Sequence, residues 1–231
     1  MVKIQNTGLI GLGRLGKVLA QKMTLDRLYV YDCRESILQA EALKLGLSWL
    51  PLNKIVVKAD LLLLAIPPDE IIPFVQQNCK RMKDNIVLIN LATKINTSEI
   101  KQTVVNKKIR IISVKLIGQY VSLLKGLESI FVTDNPYPEL TERINSIFSP
   151  LGKVRHDKTE SVYEWNAEAT RWALKTAVNF RKQLLTQSVP GDVIRVLINN
   201  ICAGTLMEYE PDSKNQYIKA RLNELRQQKL I

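Results

Sequence analysis

Three glycines near the start of the chain constrain its fold more than any other feature. The segment "GLIGLGRLGKVLAQKM" contains Gly11, Gly13 and Gly16 between an apolar run and a helix-like run. This spacing is informative when it follows a strand, opens a helix and precedes an acidic residue about 20 positions later. Asp32, at the end of "RLYVYD", meets the last condition. The pattern predicts a strand–turn–helix unit whose helix N-terminus faces phosphate groups, and a purely structural glycine turn is the alternative.

Strand-like and helix-like runs alternate up to about residue 155. The predicted strands are Ile4–Ile10, "RLYVYD", Asp60–Ile66, "NIVLINL", "IRIISV", "SIFVTD" and "KVRH". The predicted helices are Arg14–Met23, "ESILQAEALKLG", Asp69–Cys79, "NTSEIKQTVV" and "PYPELTERINSIFSPLG". Such alternation is typical of parallel strands joined by crossover helices. It predicts an α/β fold for residues 1–157, with a Rossmann-type, doubly wound and mostly parallel sheet.

From residue 158 to residue 231 the pattern changes to helices alone. The predicted helices are "TESVYEWNAEATRWALKTAVNFRKQLLTQS", "GDVIRVLINNICAGTLMEY" and a third that starts at Pro211-Asp212-Ser213. A segment this short has too little surface of its own to bury a core. We therefore expect a small all-helical domain that serves dimerisation or substrate binding. Trp165 and Trp172, one heptad apart, favour a homodimer through these helices.

The composition excludes several kinds of protein and site. The chain has 231 residues and a net charge of +11, but its lysines and arginines are dispersed, which argues against a nucleic-acid-binding surface. No apolar run reaches the roughly 18 residues of a membrane span. Three separated cysteines and one histidine favour a reducing, cytoplasmic location and neither a disulfide framework nor a metal site.

Two neighbouring residues bear on which nucleotide the glycine turn would hold. An acidic residue at the position of Asp32 accepts hydrogen bonds from ribose hydroxyls and repels a 2′-phosphate, which favours NAD. Arg34, two residues later, could instead pair with that phosphate and favour NADP. The sequence predicts NAD or NADP, with a slight preference for NAD.

Four segments together resemble the N-terminal domain of pyrroline-5-carboxylate reductases. They are "GLIGLGRLGKVLAQKM", "VYDCRES", "ADLLLLAIPPDEIIPFVQQ" and "NIVLINLATKI", and the resemblance covers about residues 4–155. That domain belongs to a clan with β-hydroxyacid dehydrogenases, prephenate dehydrogenases and ketopantoate reductases. The resemblance implies an NAD(P)-dependent oxidoreductase that acts on a small imine or a keto or hydroxy acid. It also implies that Ala65, Ile66, Pro67 and Pro68 line the nicotinamide side of the cleft.

The motif and the resemblance together give one set of cofactor-binding candidates. They are Gly11, Leu12, Gly13, Arg14, Leu15, Gly16, Asp32, Arg34, Ala65, Ile66 and Pro67. Downstream the chain departs from the reductases, because Lys115-Leu116-Ile117-Gly118 stands where they carry Met-Pro-Asn-Thr-Pro. The segment "SVYEWNAEATRWALK" lacks the glycines of their substrate-contacting segment. These departures leave open an alternative function, that of a catalytically inactive nucleotide-binding homologue with a regulatory or assembly role.

Four residues are candidates for chemistry. Lys175 and Asn179 match the lysine and asparagine that β-hydroxyacid dehydrogenases and ketopantoate reductases carry four residues apart on one helix face. There a lysine could protonate the substrate and an amide could hold it, although both residues also fit an ordinary solvated helix face. Lys115 is a candidate anchor for a substrate carboxylate, with a surface lysine at a strand end as the alternative. Thr93 ends the fourth predicted strand, where its hydroxyl could bind substrate.

Overall fold

The computed structural model describes residues 5–104, 108–209 and 215–229. The chain divides into two compact units, Met1–Ala167 and Glu168–Ile231. The sequence predicts this boundary after residue 157. One long helix, Val162–Thr186, contains the point of division.

Within the described residues, eight strands form the sheet of the first unit. They are β1 (Thr7–Ile10), β2 (Leu28–Tyr31), β3 (Ser48–Trp49), β4 (Leu61–Leu64), β5 (Val87–Asn90), β6 (Arg110–Ile117), β7 (Ile130–Thr133) and β8 (Lys153–His156). Their order is β3-β2-β1-β4-β5-β6-β7-β8, and every neighbouring pair is parallel except β6 and β7. This arrangement confirms the predicted Rossmann-type, doubly wound and mostly parallel sheet.

Helices connect these strands. They are α1 (Arg14–Lys22), α2 (Glu35–Leu45), α3 (Leu52–Lys58), α4 (Pro68–Asn78), α5 (Thr97–Thr103), α6 (Tyr120–Leu124) and α7 (Thr141–Phe148). Local sequence sets several of their ends. The C-terminal stop of α2 is Gly46, which has the left-handed φ of 62° that glycine adopts without a steric penalty. At the start of α5, Asn96 and Glu99 form a capping box.

Apolar side chains cover both faces of the sheet, because consecutive residues of a strand point to opposite faces. In β4, Leu61 and Leu63 belong to a core shared with α1, α2 and α7. Leu62 and Leu64 belong to a second core shared with α3, α4 and α5. All four leucines are buried, which explains why the sequence of this strand is a continuous apolar run.

Three elements of the first unit have no counterpart among the predicted ones. They are β3, α3 and α6. The strand β3 has two residues and α6 has five, so neither is long enough to produce a periodic apolar pattern. The predicted strand Ile4–Ile10 corresponds to β1, which starts at Thr7, and its first residue lies outside the described residues.

The described part of the second unit is helical, as predicted. It contains most of α8 (Val162–Thr186), then α9 (Gly191–Val196), a π-helical segment Leu197–Cys202, α10 (Ala203–Met207) and α11 (Gln216–Gln227). The predicted start of the last helix, Pro211-Asp212-Ser213, lies outside the described residues. In the three described ranges, no helix combines the length and the apolar character needed to cross a membrane.

Candidate cofactor and substrate site

The candidate site lies at the carboxyl ends of β1 and β4. These strands are neighbours in the sheet, and the strands that follow each of them in the sheet order extend to opposite sides. Open α/β sheets bind ligands in the crevice that such a reversal creates. Gly11 ends β1 on one side of the crevice, where its N–H donates to the Tyr31 carbonyl at 2.7 Å. Ala65 follows β4 on the other side, and its N–H donates to the Ile10 carbonyl at 2.9 Å.

Each of the three positions favours glycine for a different structural reason. Gly11 has a φ of +97°, and a Cβ there would lie 2.5 Å from the Ala65 carbonyl oxygen. A Cβ on Gly16 would overlap the main-chain oxygen of Gly11, so this glycine allows α1 to pack closely against the turn. Gly13 differs, because no protein atom lies within 4 Å of the position that its Cβ would take. The backbone at Gly13 thus borders open space at the start of α1, a geometry that fits a dinucleotide pyrophosphate.

A cavity of about 600 Å³ opens beside this turn. Its lining residues are Ile10, Gly11, Gly13, Tyr31, Asp32, Cys33, Arg34, Leu52, Ala65, Ile66, Pro67, Glu70, Pro73, Phe74, Gln77 and Asn78. We call it the first cavity. Its volume is that of a small-molecule site, and it contains seven of the eleven cofactor-binding candidates. The end of β2 forms one side of it, which is where the adenosine half of a dinucleotide lies in Rossmann folds.

The carboxylate of Asp32 is fully engaged in this cavity. Its Oδ2 accepts hydrogen bonds from the Leu12 N–H at 2.8 Å and from Arg34 Nη2 at 3.0 Å. Its Oδ1 accepts from the Arg34 N–H at 3.0 Å and from Arg34 Nε at 2.9 Å. A carboxylate has about four acceptor positions, so these bonds use its capacity. Burial alone would raise the pKa of the Asp32 carboxyl, but the bonds from Arg34 and Leu12 hold that pKa below its usual value.

A second cavity of about 380 Å³ lies on the other side of Ala65 and Ile66, which line both. Its lining residues are Arg14, Leu15, Ala65, Ile66, Pro68, Leu91, Ala92, Thr93, Leu116, Gly118, Tyr120 and Asn166. The Arg14 guanidinium lies 5.5 Å from the centre of the Tyr120 ring. Asn166 is held by a hydrogen bond from its Nδ2 to the Leu116 carbonyl at 2.8 Å. The second cavity therefore has one charged side chain and several neutral hydrogen-bonding groups.

The remaining cofactor-binding candidates all lie near these cavities. Arg14 and Leu15 line the second cavity. Leu12 is buried in the core and contributes its N–H to Asp32. Gly16 contacts Gly11 within the turn, as described above.

The four candidates for chemistry are in different environments. Thr93 lines the second cavity. Lys115 is completely buried, and its ammonium donates to the carbonyls of Ala92 and Ile95, so it is not the surface lysine that was the alternative. Lys175 and Asn179 are exposed side chains one turn apart on α8, in the second unit. Their roles in chemistry stay predictions.

Sequence reasoning missed several lining residues of the second cavity. Tyr120 and Asn166 come from separate segments that carry no motif, and only the fold brings them together. In the first cavity it missed Phe74 and Gln77 of α4, although both lie in the segment "ADLLLLAIPPDEIIPFVQQ". Within the described residues, no group of three or more histidine, cysteine, aspartate or glutamate side chains is arranged to hold a metal ion.

The chain matches a known family over the part that forms the first cavity and most of the second. Residues 2–119, just over half of the chain, match the family model for the D-isomer specific 2-hydroxyacid dehydrogenase, NAD binding domain. The chain belongs to this family. The predicted nicotinamide dinucleotide is thereby confirmed as the class of cofactor, whereas the preference for NAD over NADP stays a prediction. Among curated proteins, none matches the sequence.

Solved structures share the fold at low sequence identity. A pyrroline-5-carboxylate reductase from Coxiella burnetii has a TM-score of 0.69 and 14% identity, over 99% of this chain and 93% of that one. The Plasmodium falciparum pyrroline carboxylate reductase with NADP bound has a TM-score of 0.63 and 14% identity, over 100% and 92%. Mycobacterium tuberculosis 3-hydroxyisobutyrate dehydrogenase has a TM-score of 0.62 and 11% identity, over 85% and 71%. These similarities confirm the predicted Rossmann-type fold.

Proposed function

We propose that this chain is an NAD(P)-dependent oxidoreductase that acts on a small substrate held in the second cavity. One observation carries the proposal: two cavities meet at Ala65 and Ile66, beside a glycine turn at the carboxyl edge of the sheet. The first cavity has the size and the position for the adenosine half of the cofactor. The nicotinamide would then lie near Ala65 and Ile66, with the substrate next to it in the second cavity.

The residues of the second cavity support reduction of a carbon–oxygen or carbon–nitrogen double bond. A bound nicotinamide dinucleotide supplies the hydride or accepts it. Thr93, Tyr120 and Asn166 offer two hydroxyls and an amide that could orient the substrate oxygen or nitrogen. A hydroxyl in hydrogen-bond contact with that atom would also pass it a proton during reduction. Lys175 and Asn179 are proposed for the same tasks only through their match to β-hydroxyacid dehydrogenases.

The charge of the second cavity supports an acidic substrate. Among its lining residues in the described chain, Arg14 alone carries a formal charge. Its guanidinium lies over the ring of Tyr120, which also lines the second cavity, so the positive charge lies beside that cavity. A carboxylate could pair with it in a bidentate manner. Of the substrate classes that the sequence suggests, a keto or hydroxy acid, or an imine that bears a carboxylate, fits best.

The bonding of Asp32 supports NADP rather than NAD. To accept hydrogen bonds from two ribose hydroxyls, Asp32 would have to release Arg34, because its acceptor positions are already used. Arg34 uses two of its five side-chain N–H donors on Asp32, which leaves three, and its side chain is 54% exposed. A 2′-phosphate could bind those donors without disturbing the pair. The free donors of Arg34 thus favour NADP, whereas Asp32 in the sequence slightly favours NAD.

Calorimetry with NADPH and NADH tests the cofactor part of the proposal. We expect NADPH to bind more tightly than NADH. Arg34→Leu should weaken NADPH binding about ten- to hundredfold, since a charge-assisted bond contributes roughly 1.5–3 kcal/mol. It should not weaken NADH binding, because Asp32 then has acceptor positions for the ribose hydroxyls. Arg27→Leu, which changes an exposed arginine just before β2, is the matched control. Tighter binding of NADH would overturn the assignment of NADP, and failure to bind either nucleotide would overturn the proposed function.

Turnover distinguishes the enzyme from the inactive homologue. Oxidation of NADPH, followed by its absorbance, can be measured with small keto acids and cyclic imines that bear a carboxylate. We expect turnover that falls in Thr93→Val, which keeps the shape of the side chain and removes the hydroxyl. Nucleotide binding without turnover of any such compound would favour the regulatory or assembly role.

The second unit supports the proposal of a homodimer. Of its described apolar side chains, only Leu184, Ile194 and Ile218 are buried. A larger set is exposed: Trp172, Leu174, Val178, Leu185, Val193, Val196, Ile201, Leu206, Met207, Tyr209, Tyr217 and Leu225. Extensive exposed apolar surface marks interaction sites in soluble proteins. A second copy of the chain is the proposed partner of this surface.

A further inference from the structure

We infer that Lys115 is a positioning residue that fixes one wall of the second cavity through the turn Ala92–Ile95. The inference rests on the proposed function, because it concerns the cavity in which substrate and nicotinamide would meet. Lys115 itself does not line either cavity in the described chain. Its effect is on the main chain that carries Thr93.

The strand β6 directs Lys115 toward this turn. Consecutive residues of β6 alternate between the two faces of the sheet, and Val114 and Leu116 belong to the core on one face. Lys115 therefore extends from the opposite face, where it is completely buried. Its Nζ donates to the Ile95 carbonyl at 2.6 Å and to the Ala92 carbonyl. One ammonium thus binds the first and the last residue of a four-residue turn.

Asn90 binds the same turn from the end of β5. Its Oδ1 accepts from the Ala92 N–H at 3.0 Å, and its Nδ2 donates to the Ile95 carbonyl at 2.9 Å. Lys115 and Asn90 are both completely buried, and together they satisfy main-chain groups at both ends of the turn. A turn held in this way presents Thr93 and Ala92 to the second cavity in one conformation. Preorganised walls of this kind reduce the cost of ordering a site around its ligand.

The buried charge of Lys115 is stabilised by hydrogen bonds to carbonyls. Among the described residues, no carboxylate lies within ion-pair distance of its Nζ. Burial lowers the pKa of its ammonium from 10.5 to about 8, while the charges of Asp134 and Glu99 act in the opposite direction. Both carboxylates have other partners, since Asp134 binds the Ser113 N–H and Glu99 binds the Asn96 N–H. The turn carbonyls are therefore the direct partners of this buried charge.

The position of the turn links Lys115 to the ligand. Leu91, Ala92 and Thr93 are consecutive residues of the cavity wall. If the ammonium is removed, the carbonyls of Ala92 and Ile95 lose a donor, and that of Ala92 must find another partner by moving. This movement should weaken the binding of the nicotinamide half of the cofactor. It should not change the binding of the adenosine half, which would lie in the first cavity.

A comparison of two ligands isolates this effect. NADPH fills both halves of the proposed site, whereas 2′-phospho-ADP-ribose keeps the adenosine half, the pyrophosphate and the second ribose and lacks only the nicotinamide ring. The dissociation constant of 2′-phospho-ADP-ribose divided by that of NADPH, both measured by calorimetry on the full chain, is the ratio that reports the contribution of the nicotinamide ring. We expect Lys115→Met to reduce that ratio at least about fivefold while the affinity for 2′-phospho-ADP-ribose stays within about twofold.

Lys83→Met is the matched control. The Lys83 ammonium also donates to a main-chain carbonyl, that of Lys58, at 2.7 Å. Unlike Ala92, however, Lys58 lines neither cavity. We expect Lys83→Met to leave the ratio unchanged. An unchanged ratio in Lys115→Met, or an equal loss of both affinities, would refute the positioning role. A wild-type chain that binds neither ligand, or that binds both equally, would instead refute the proposed function.

The pH dependence of the wild-type chain gives a second measurement that needs no variant. Between pH 7 and pH 9.5 the Lys115 ammonium loses its proton, and its hydrogen bonds to the turn lose their charge assistance. The ratio should fall over this range in the wild type and in Lys83→Met, and it should stay constant in Lys115→Met. A wild-type ratio that does not change with pH would overturn the inference, even if Lys115→Met does not fold.

Discussion

Replacing Gly13 by alanine should separate nucleotide binding from folding. The φ of Gly13 is −69°, which alanine adopts freely, and no protein atom lies within 4 Å of the new Cβ. The added methyl group would stand in the open space at the start of α1, where the pyrophosphate would approach the backbone. Gly16→Ala is the contrasting change, because its Cβ would overlap the Gly11 oxygen and force α1 away from the turn.

The structure sets the magnitudes. In Gly13→Ala, alanine is the poorer N-cap by up to about 1 kcal/mol, while the reduced freedom of the unfolded chain contributes about 0.4–1 kcal/mol in the opposite direction. The free energy of unfolding should therefore change by less than about 1 kcal/mol. Gly16→Ala should lose about 1–3 kcal/mol or more through overpacking. In a chain of this size about 1 kcal/mol corresponds to roughly 2–4 °C, so the Tm of Gly16→Ala should fall by roughly 2–12 °C or more.

Thermal denaturation and calorimetry, with and without NADPH, measure both effects. Gly13→Ala should keep the wild-type Tm within about 3 °C and lose at least about tenfold in NADPH affinity, or roughly 1.4 kcal/mol of binding free energy. Gly191→Ala is the control, since a Cβ on Gly191 would also meet open space, its φ is not left-handed, and it lines neither cavity. It should bind NADPH as the wild type does. If Gly13→Ala also binds NADPH with wild-type affinity, the pyrophosphate does not lie at this turn and the assignment of the first cavity is wrong.

Two further predictions concern stability and assembly. The pKa of Lys115 is about 8 in the folded chain, whereas the ordinary value of a lysine is 10.5. Between these pH values the unfolded chain binds more protons than the folded chain. The free energy of unfolding should therefore rise with pH in this range. The rise from this group is at most about 3 kcal/mol and should be absent in Lys115→Met, as urea titrations at pH 7.5 and pH 10 would reveal. Trp172, 55% exposed, should contribute to the proposed dimer, and Trp172→Lys should give a monomer by light scattering while the helical circular dichroism stays unchanged. A wild-type chain that is monomeric at micromolar concentration would contradict the dimer.

The sequence predicted the parts of the fold and the site that depend on contiguous residues. Gly11, Gly13 and Gly16 belong to one turn, and their spacing carries the geometry of that turn with it. The elements β3 and α6 escaped prediction because they are short. Lys115 illustrates the other limit. The predicted strand "IRIISV" stops before Lys115, whereas β6 continues to Ile117 and includes it. Its partners, Ala92 and Ile95, are some 20 residues away and use main-chain carbonyls that every residue has. No side-chain pattern identifies such partners.

The pair Asp32 and Arg34 illustrates a third limit, which is the direction of a side chain. The sequence places an acid and a base two residues apart and leaves open which of them meets the nucleotide. The hydrogen bonds between them make Asp32 a partner of Arg34, and the unused donors belong to the arginine. Asp32 and Arg34 can thus support either NAD or NADP, depending on the conformation of their side chains, which their spacing in the sequence does not determine.

Whether the chain can turn over a substrate depends on the residues of the second cavity. Gly11, Gly13 and Asp32 line the first cavity, whereas Leu116 and Gly118, where the chain departs from the reductases, line the second. Binding and turnover therefore depend on largely separate residues. An inactive homologue could keep the first cavity intact and fill the second with apolar side chains. The second cavity instead keeps a volume of about 380 Å³ and has Arg14, Thr93, Tyr120 and Asn166 in its wall, which is the arrangement expected where a polar substrate must be held.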